Sequence, residues 1–98
     1  MQSKIFSLNQ AVDASPVLSQ MAQRVRLSQH LLERVRPLMP PGLRGQVLAG
    51  PVDDESWCLL VSNPAVATKL KQLVPALLAA LRNDGQTVQR LRIKVRGR

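Results

Sequence analysis

Cationic side chains recur at every second position near the end of the chain, in the stretch VQRLRIKVRGR. Guanidinium and ammonium groups neutralise phosphates, so a row of them can bind a nucleic-acid backbone. The intervening residues are apolar, and this period of two predicts a half-buried strand with its cations on one face. Side chains on one strand face repeat about every 6.6 Å, on the order of the phosphate repeat along an extended single strand. We expect this basic row to hold a backbone without reading bases; it comprises Arg90, Arg92, Lys94 and Arg96.

Further cations would widen the basic row. Lys69 and Lys71 lie on a predicted helix, and Arg98 ends the chain. Exposed strands also carry Lys and Arg for solubility and to prevent edge pairing, so this second role stays open. Phe6 and Trp57 are the only aromatic residues, and Trp57 lies in an apolar run that predicts a core position. Without base stacking, any affinity should be electrostatic, weakly sequence-selective and strongly salt-dependent.

The composition is that of a small, basic, folded protein. The chain has 98 residues, 45% of them hydrophobic, a formal net charge of +8 and a sequence pI of about 11.4. This length fits one domain with a modest, mainly aliphatic core. The charge favours a polyanionic partner, which is nucleic acid, an anionic membrane surface or an acidic protein.

Few residues in the sequence suggest catalysis. Cys58 is the single cysteine and lies in the apolar run WCLLV, which predicts a buried thiol. His30 is the single histidine, and its nearest carboxylate along the chain is that of Glu33, on the same helix. The G-x-x-G stretch at Gly42–Gly45 follows a proline turn and enters a strand, unlike the nucleic-acid-clamping loop of KH domains. We expect no enzyme, no metal site and no cofactor.

An acidic loop, defined as Asp53, Asp54 and Glu55, carries half of the six carboxylates of the protein. Adjacent carboxylates in a hairpin loop are typically solvated, but they could also contact a basic surface of a partner. No stretch approaches the ~18 apolar residues of a membrane span. The N-terminus lacks the apolar stretch of a secretory signal, so a cytoplasmic protein without membrane contact is expected.

The hydrophobic pattern predicts the elements that position these side chains. Residues 1–14 read as an arm and residues 15–98 as a single domain. A helix begins at Pro16 after the capping residue Ser15 and ends before Pro37. Residues 40–42 make a turn, residues 44–50 a strand, and the stretch PVDDES a loop. The buried stripe predicted for this helix is Leu18, Met21, Val25, Leu32 and Val35.

The second half of the chain continues with WCLLV, a strand apolar on both faces and therefore central in its sheet. Ser62 or Asn63 caps a second helix, Pro75 should bend it, and residues 83–85 end it. Its predicted buried stripe is Val66, Leu70, Leu73, Leu77 and Leu81. The order α-β-β-α-β predicts an α+β domain with both helices on one face of a three-stranded sheet.

This arrangement resembles a known family. The stretch LVSNPAVATKLKQLVPALLAAL followed by VQRLRIKVR is similar to the DciA-type family of bacterial helicase loaders, first catalogued as a domain of unknown function. The proline turn LMPPGL and the hairpin match as well, over about residues 18–95. Where the family usually has aromatic residues, this chain has Val66 and Gln72. The positions that match the helix motif of the family are Ser62, Ala65, Ala67, Leu70 and Pro75.

The resemblance implies a KH-like domain that contacts DNA and acts with the replicative helicase during initiation of replication. The leading hypothesis is a non-enzymatic adaptor that binds single-stranded or forked DNA through the basic row and assists helicase loading or operation. An RNA- or ribosome-associated basic module is an alternative, because it would have the same composition. A pure protein-interaction domain with an acidic partner is another. The oligomeric state is left open.

Overall fold

The computed structural model describes residues 16–97. The arm expected at residues 1–14 and the cation Arg98 lie outside this range. The elements follow the predicted order α-β-β-α-β and confirm an α+β fold. In chain order they are helix α1 (Pro16–Val35), a 3-10 turn (Arg36–Leu38), the one-turn helix α2 (Pro41–Arg44), strands β1 (Val47–Val52) and β2 (Ser56–Val61), helix α3 (Pro64–Asn83) and strand β3 (Arg90–Val95).

The three strands form one mixed sheet in the order β1-β2-β3. The hairpin strands β1 and β2 are antiparallel, while β2 and β3 are parallel and are connected through α3. The central position of β2 confirms the expectation from its apolar sequence. Its inward side chains Trp57, Leu59 and Val61 are fully buried.

Both helices pack against the same face of the sheet. Helix α1 lies mainly on β1 and α3 mainly on β3, and both contribute to one hydrophobic core. From α3, the predicted stripe is buried at Val66, Leu70, Leu77 and Leu81, with Leu73 partly buried. The opposite face of the sheet bears no helix of the described chain.

The boundaries of α3 follow the predicted signals. Of the two predicted capping residues, Asn63 is the cap, and its side chain accepts a hydrogen bond from the Val66 N–H at 2.9 Å. Pro64 occupies the first turn, where its missing N–H costs nothing. Gly85 follows the helix with a φ of 83°, the left-handed conformation that glycine adopts without strain.

The first half of α1 departs from the sequence prediction. Leu32 and Val35 are buried, but Leu18, Met21 and Val25 are exposed at 45%, 57% and 62%. A helix of 20 residues is about 30 Å long, whereas a strand of six residues spans about 20 Å. The helix is therefore longer than the strand it packs on, and Met21 and Val25 face the β1 bulge across an open groove instead of packing in the core.

The proline-rich segment and the first strand also differ from prediction. The turn predicted at residues 40–42 is the start of α2, because the fixed φ of Pro41 suits a first helical position. The first strand was predicted over residues 44–50, but β1 includes Pro51 and Val52, so the loop is shorter than PVDDES. A bulge between Ala49 and Val52 accommodates Pro51 on this edge strand.

Candidate nucleic-acid interface

Strand β3 displays the alternation that the sequence predicts. Leu91, Ile93 and Val95 are half-buried and pack against the core. Arg90, Arg92 and Lys94 alternate with them, are exposed, and project from the face of the sheet that carries no helix. Beyond the strand, the Arg96 N–H donates to the Val61 carbonyl at 2.7 Å, which holds Arg96 in line with the ladder.

The cations of the basic row differ in their partners. Within residues 16–97, the side chains of Arg92, Lys94 and Arg96 make no ion pair or hydrogen bond. Arg90 is engaged, because its Nη2 lies 3.3 Å from Glu55 Oε1 and its Nε donates to Ser56 Oγ at 3.3 Å. The row therefore has three free cations and one that is already paired.

The open face of the sheet changes from cationic to apolar across its strands. In the β2–β3 register, Arg92 lies beside Cys58 and Lys94 beside Leu60. Leu60 in turn pairs with Leu48 of β1, which is 44% exposed. A backbone held on the basic row would thus have a strip of aliphatic surface next to it.

No aromatic side chain of residues 16–97 is available for base stacking. Trp57 points to the helix-covered face and is fully buried, as its sequence context predicts. Its Nε1–H donates to Ser28 Oγ at 2.8 Å, and Ser28 Oγ donates to the Gly50 carbonyl at 2.6 Å. The first bond gives the buried indole N–H an acceptor, and the second joins α1 to the bulge of β1.

The acidic loop is largely engaged within the protein. Asp53 Oδ1 accepts hydrogen bonds from the backbone N–H groups of Ser56, at 2.8 Å, and Glu55, at 3.1 Å. The bond from the Ser56 N–H has the largest effect in lowering the pKa of Asp53 below its ordinary value, followed by the bond from the Glu55 N–H. The charges of Arg24 and Arg90 make smaller contributions in the same direction. Glu55 pairs with Arg90, so Asp54 has the one carboxylate of the loop without a described partner.

The structure does not bring the two lysines of α3 into the basic row. Lys69 and Lys71 are exposed on either side of the buried Leu70, and α3 covers the face of the sheet opposite to Arg92 and Lys94. Lys69 lines a groove of about 520 Å³ together with Gly42 and Gln46. Lys71 projects from the other flank of the helix, because side chains two positions apart on a helix point in directions that differ by about 200°.

Several other cations are committed to the fold. Arg34 forms a two-point ion pair with Asp84, which ties the end of α1 to the end of α3. Arg36 donates to the Arg44 carbonyl at 2.8 Å and lies 3.7 Å from Glu33. Arg44 donates to the Met39 carbonyl at 3.0 Å. Within residues 16–97, the uncommitted positive charge therefore lies on β3, on the flanks of α3 and on the exposed part of α1.

The remaining sequence features are the G-x-x-G stretch, possible metal ligands and possible membrane spans. The G-x-x-G stretch forms α2 and the turn after it, and Leu43 within it is buried. Within residues 16–97, no three His, Cys, Asp or Glu side chains are grouped so that they could hold a metal ion. None of the helices in that range is long and apolar enough to cross a membrane.

Comparison with known protein families identifies a family whose pattern the sequence matches. The family described as "Dna[CI] antecedent, DciA" matches residues 7–93 of the 98. The chain belongs to the DciA family. DciA is a family of bacterial replicative helicase loaders, so this member of the family takes part in loading of the replicative helicase. No curated protein matches the chain.

Two positions of this DciA protein deserve comparison with the family pattern given above. Val66, where an aromatic residue is usual, is buried against the core and also lines the groove beside Lys69. Gln72, the second such position, is exposed on the same groove. Both positions lie on the helix-covered side of the molecule, away from the basic row.

Sequence reasoning missed one surface of this DciA protein. Met21, Arg24 and Val25 on α1 line a groove of about 460 Å³ with Gly50 and Pro51 of β1. The prediction placed Met21 and Val25 in the core. Two features hint that the stripe is not buried along its whole length. Ser28 interrupts the apolar residues at the position where burial begins, and a helix of 20 residues is longer than a strand of six residues.

Proposed function

We propose that this protein is a non-enzymatic, cytoplasmic adaptor that holds single-stranded or forked DNA on its basic row while it assists the replicative helicase during replication initiation. Membership of the DciA family supports the helicase part of this proposal. The observation that carries the DNA part is the exposed row on β3, with three cations that have no partner in the described chain.

The spacing of the row suits an extended nucleic-acid backbone. Arg92, Lys94 and Arg96 are two residues apart, so successive charges lie about 6.6 Å apart on one face. Such contacts fix the position of the backbone and carry no sequence information. The aliphatic strip at Leu60 and Leu48 offers no π-face, which leaves counterion release as the main source of affinity.

Three further cations would strengthen the attraction of DNA to the protein without being part of the row. Arg98 follows the strand in sequence, and Lys71 projects from the flank of α3. Lys69, on the opposite flank, faces the groove beside α2 and would contribute mainly to the overall positive field. We expect each of the three to matter less than Arg92 or Lys94.

The acidic loop contributes little to a partner surface in this proposal. The Asp53 carboxylate supports the turn and that of Glu55 pairs with Arg90, which leaves Asp54 to meet a basic partner. A single exposed ion pair contributes only about 0–1 kcal/mol. The main contact with the helicase is therefore expected elsewhere on the protein.

The test is charge reversal on β3, compared with a variant of equal net charge. The Arg92→Glu/Lys94→Glu variant should lose binding of a labelled single-stranded oligonucleotide in fluorescence anisotropy. Its thermal melt should stay nearly unchanged, because both side chains are exposed. The Arg26→Glu/Arg82→Glu variant removes the same charge from α1 and α3, and it should retain most of the affinity.

Equal losses in the two variants would mean that only the net charge matters and would contradict a site on β3. A collapse of the melt in the β3 variant would show that the strand is misassigned. Unlabelled RNA of the same length serves as a competitor. If RNA displaces the oligonucleotide at much lower concentrations than DNA, the RNA-associated alternative replaces this proposal.

A further inference from the structure

One continuous stripe on α1 is core at one end and solvent-exposed at the other. Leu32 and Val35 are buried in the core, and Ser28 is buried where it bonds to Gly50 and Trp57. One turn earlier on the same face, Val25 is 62% exposed, and Met21, a further turn toward the N-terminus, is 57% exposed. Five of the seven large apolar side chains exposed within residues 16–97 lie on this part of the helix: Val17, Leu18, Met21, Val25 and Leu27.

The stripe borders a groove that could receive a side chain from another molecule. Met21 and Val25 form one wall, and Gly50, Pro51 and Val52 at the β1 bulge form the other. Gly50 is required here, because a Cβ at this position would lie 2.8 Å from the Cys58 carbonyl oxygen and 3.2 Å from Leu60. The absence of a side chain at Gly50 opens the groove toward Leu60, and its volume is about 460 Å³.

The charge on the α1 side of the groove is positive, whereas the β1 side leads from Val52 into the acidic loop. Residues 16–30 contain no Asp or Glu, and their two cations are Arg24 and Arg26. Neither cation makes an ion pair within the described chain, and Arg24 lines the groove. An apolar stripe with positive flanks is complementary to an amphipathic helix with acidic flanks. Two copies of the stripe facing each other would bring the arginines of both copies together, which disfavours a homodimer.

We propose that the first half of α1 and its groove form the docking site for an amphipathic helix of the replicative helicase with acidic flanking residues. This inference rests on the helicase role proposed above and assigns that role a surface. Met21 and Val25 would contact apolar residues spaced i, i+3 and i+7 on the partner helix. Arg24 would pair with an acidic residue beside them.

The test measures binding of the purified replicative helicase from the same organism to the full-length protein by isothermal titration calorimetry. The Met21→Gln/Val25→Gln variant should weaken binding at least about tenfold, since apolar contacts at an interface centre dominate affinity. The control is Leu38→Gln, which replaces an exposed apolar side chain outside both proposed surfaces and should change affinity less than about twofold. Oligonucleotide binding should be unchanged in both variants, because neither changes the net charge.

A second comparison tests the charge argument within one helix. The Arg24→Glu variant should weaken helicase binding more than Arg26→Glu does, because Arg24 lines the groove and Arg26 does not. If both variants weaken helicase binding equally, the overall positive charge of the helix acts and not an ion pair of Arg24. That result would contradict the proposed pairing of Arg24.

The failures of the two proposals can be distinguished. If the unmodified protein binds the helicase and the Met21→Gln/Val25→Gln variant binds it equally well, the docking site is wrong and the helicase role stands. If the unmodified protein does not bind the helicase, both fail. A concentration-dependent dimer that this variant abolishes would identify a second copy as the occupant. A shift of the Met21 methyl resonance in a Phe6→Ser variant without helicase would identify the N-terminal residues instead, and either result overturns the proposal.

Discussion

Glu55 determines how many cations of the basic row are free. Its carboxylate pairs with Arg90 Nη2 at 3.3 Å, and both side chains are more than half exposed. The Glu55 carbonyl also accepts the backbone N–H groups of Gln89 and Arg90, so the loop and the start of β3 are held together. The carboxylate occupies the guanidinium in the way that a phosphate would.

Removal of this carboxylate should add one cation to the row. In the Glu55→Gln variant, the dependence of log affinity on log salt for a single-stranded oligonucleotide should steepen by about 0.7, the value for one more phosphate contact. The matched control is Asp54→Asn, which removes the same charge one residue away from a side chain without a described partner. Equal slopes in the two variants would show that Arg90 does not join the row.

Strand β3 is the element on which the proposed site depends. Its two faces have different roles, because Leu91, Ile93 and Val95 anchor the strand while the cations between them reach solvent. A basic tail without this anchoring would have to order its backbone upon binding, at a cost of roughly 1–2 kcal/mol per residue. The packed strand has already met this cost in folding.

The anchoring of β3 can be measured through stability. The Ile93→Ala variant should lower the free energy of unfolding by about 1–3 kcal/mol in chemical denaturation, below the range for a fully buried isoleucine because Ile93 is only half-buried. The Lys94→Ala variant, which changes the adjacent exposed position, should stay within about 0.5 kcal/mol of the unmodified protein. A neutral result for Ile93→Ala would mean that the strand does not pack.

Sequence patterns predicted these elements well where local signals and burial agree. The alternation in β3, the apolar run of β2 and the Asn63–Pro64 start of α3 each have a local physical cause that the structure retains. The exposed half of α1 was not predictable from periodicity, because an apolar stripe does not specify how much of it a partner element covers. The β1 bulge depends on the contact between Gly50 and Cys58, which is a tertiary feature.

The candidate site was predictable only in part. The sequence indicated a row of four cations, but the pairing of Arg90 with Glu55 joins residues 35 positions apart and leaves no local signal. Lys69 and Lys71 were grouped with the row from composition. Whether a helix lies on the same face as a row of charges depends on packing, and here α3 covers the other face.

At the scale of the whole molecule, the two proposed surfaces lie at opposite edges of the sheet. The basic row lies on β3, while the groove of α1 borders β1, and β2 separates the two edge strands. Neighbouring strands are about 4.8 Å apart, but Leu60 of β2 both lines the groove and pairs with Lys94 of the row, so the two surfaces adjoin at β2. In the proposed function, DNA on β3 and a helicase helix on the α1 side of the groove would therefore be close neighbours.

The most direct test of the central claim is fluorescence anisotropy of a labelled single-stranded oligonucleotide, titrated with the unmodified protein across a salt series. Three free cations, each contributing about 0.7, predict a log–log slope near −2.1. Arg92→Glu/Lys94→Glu should abolish this dependence together with binding. An absence of binding at low salt, or a slope near zero, would contradict a DNA-holding role for β3.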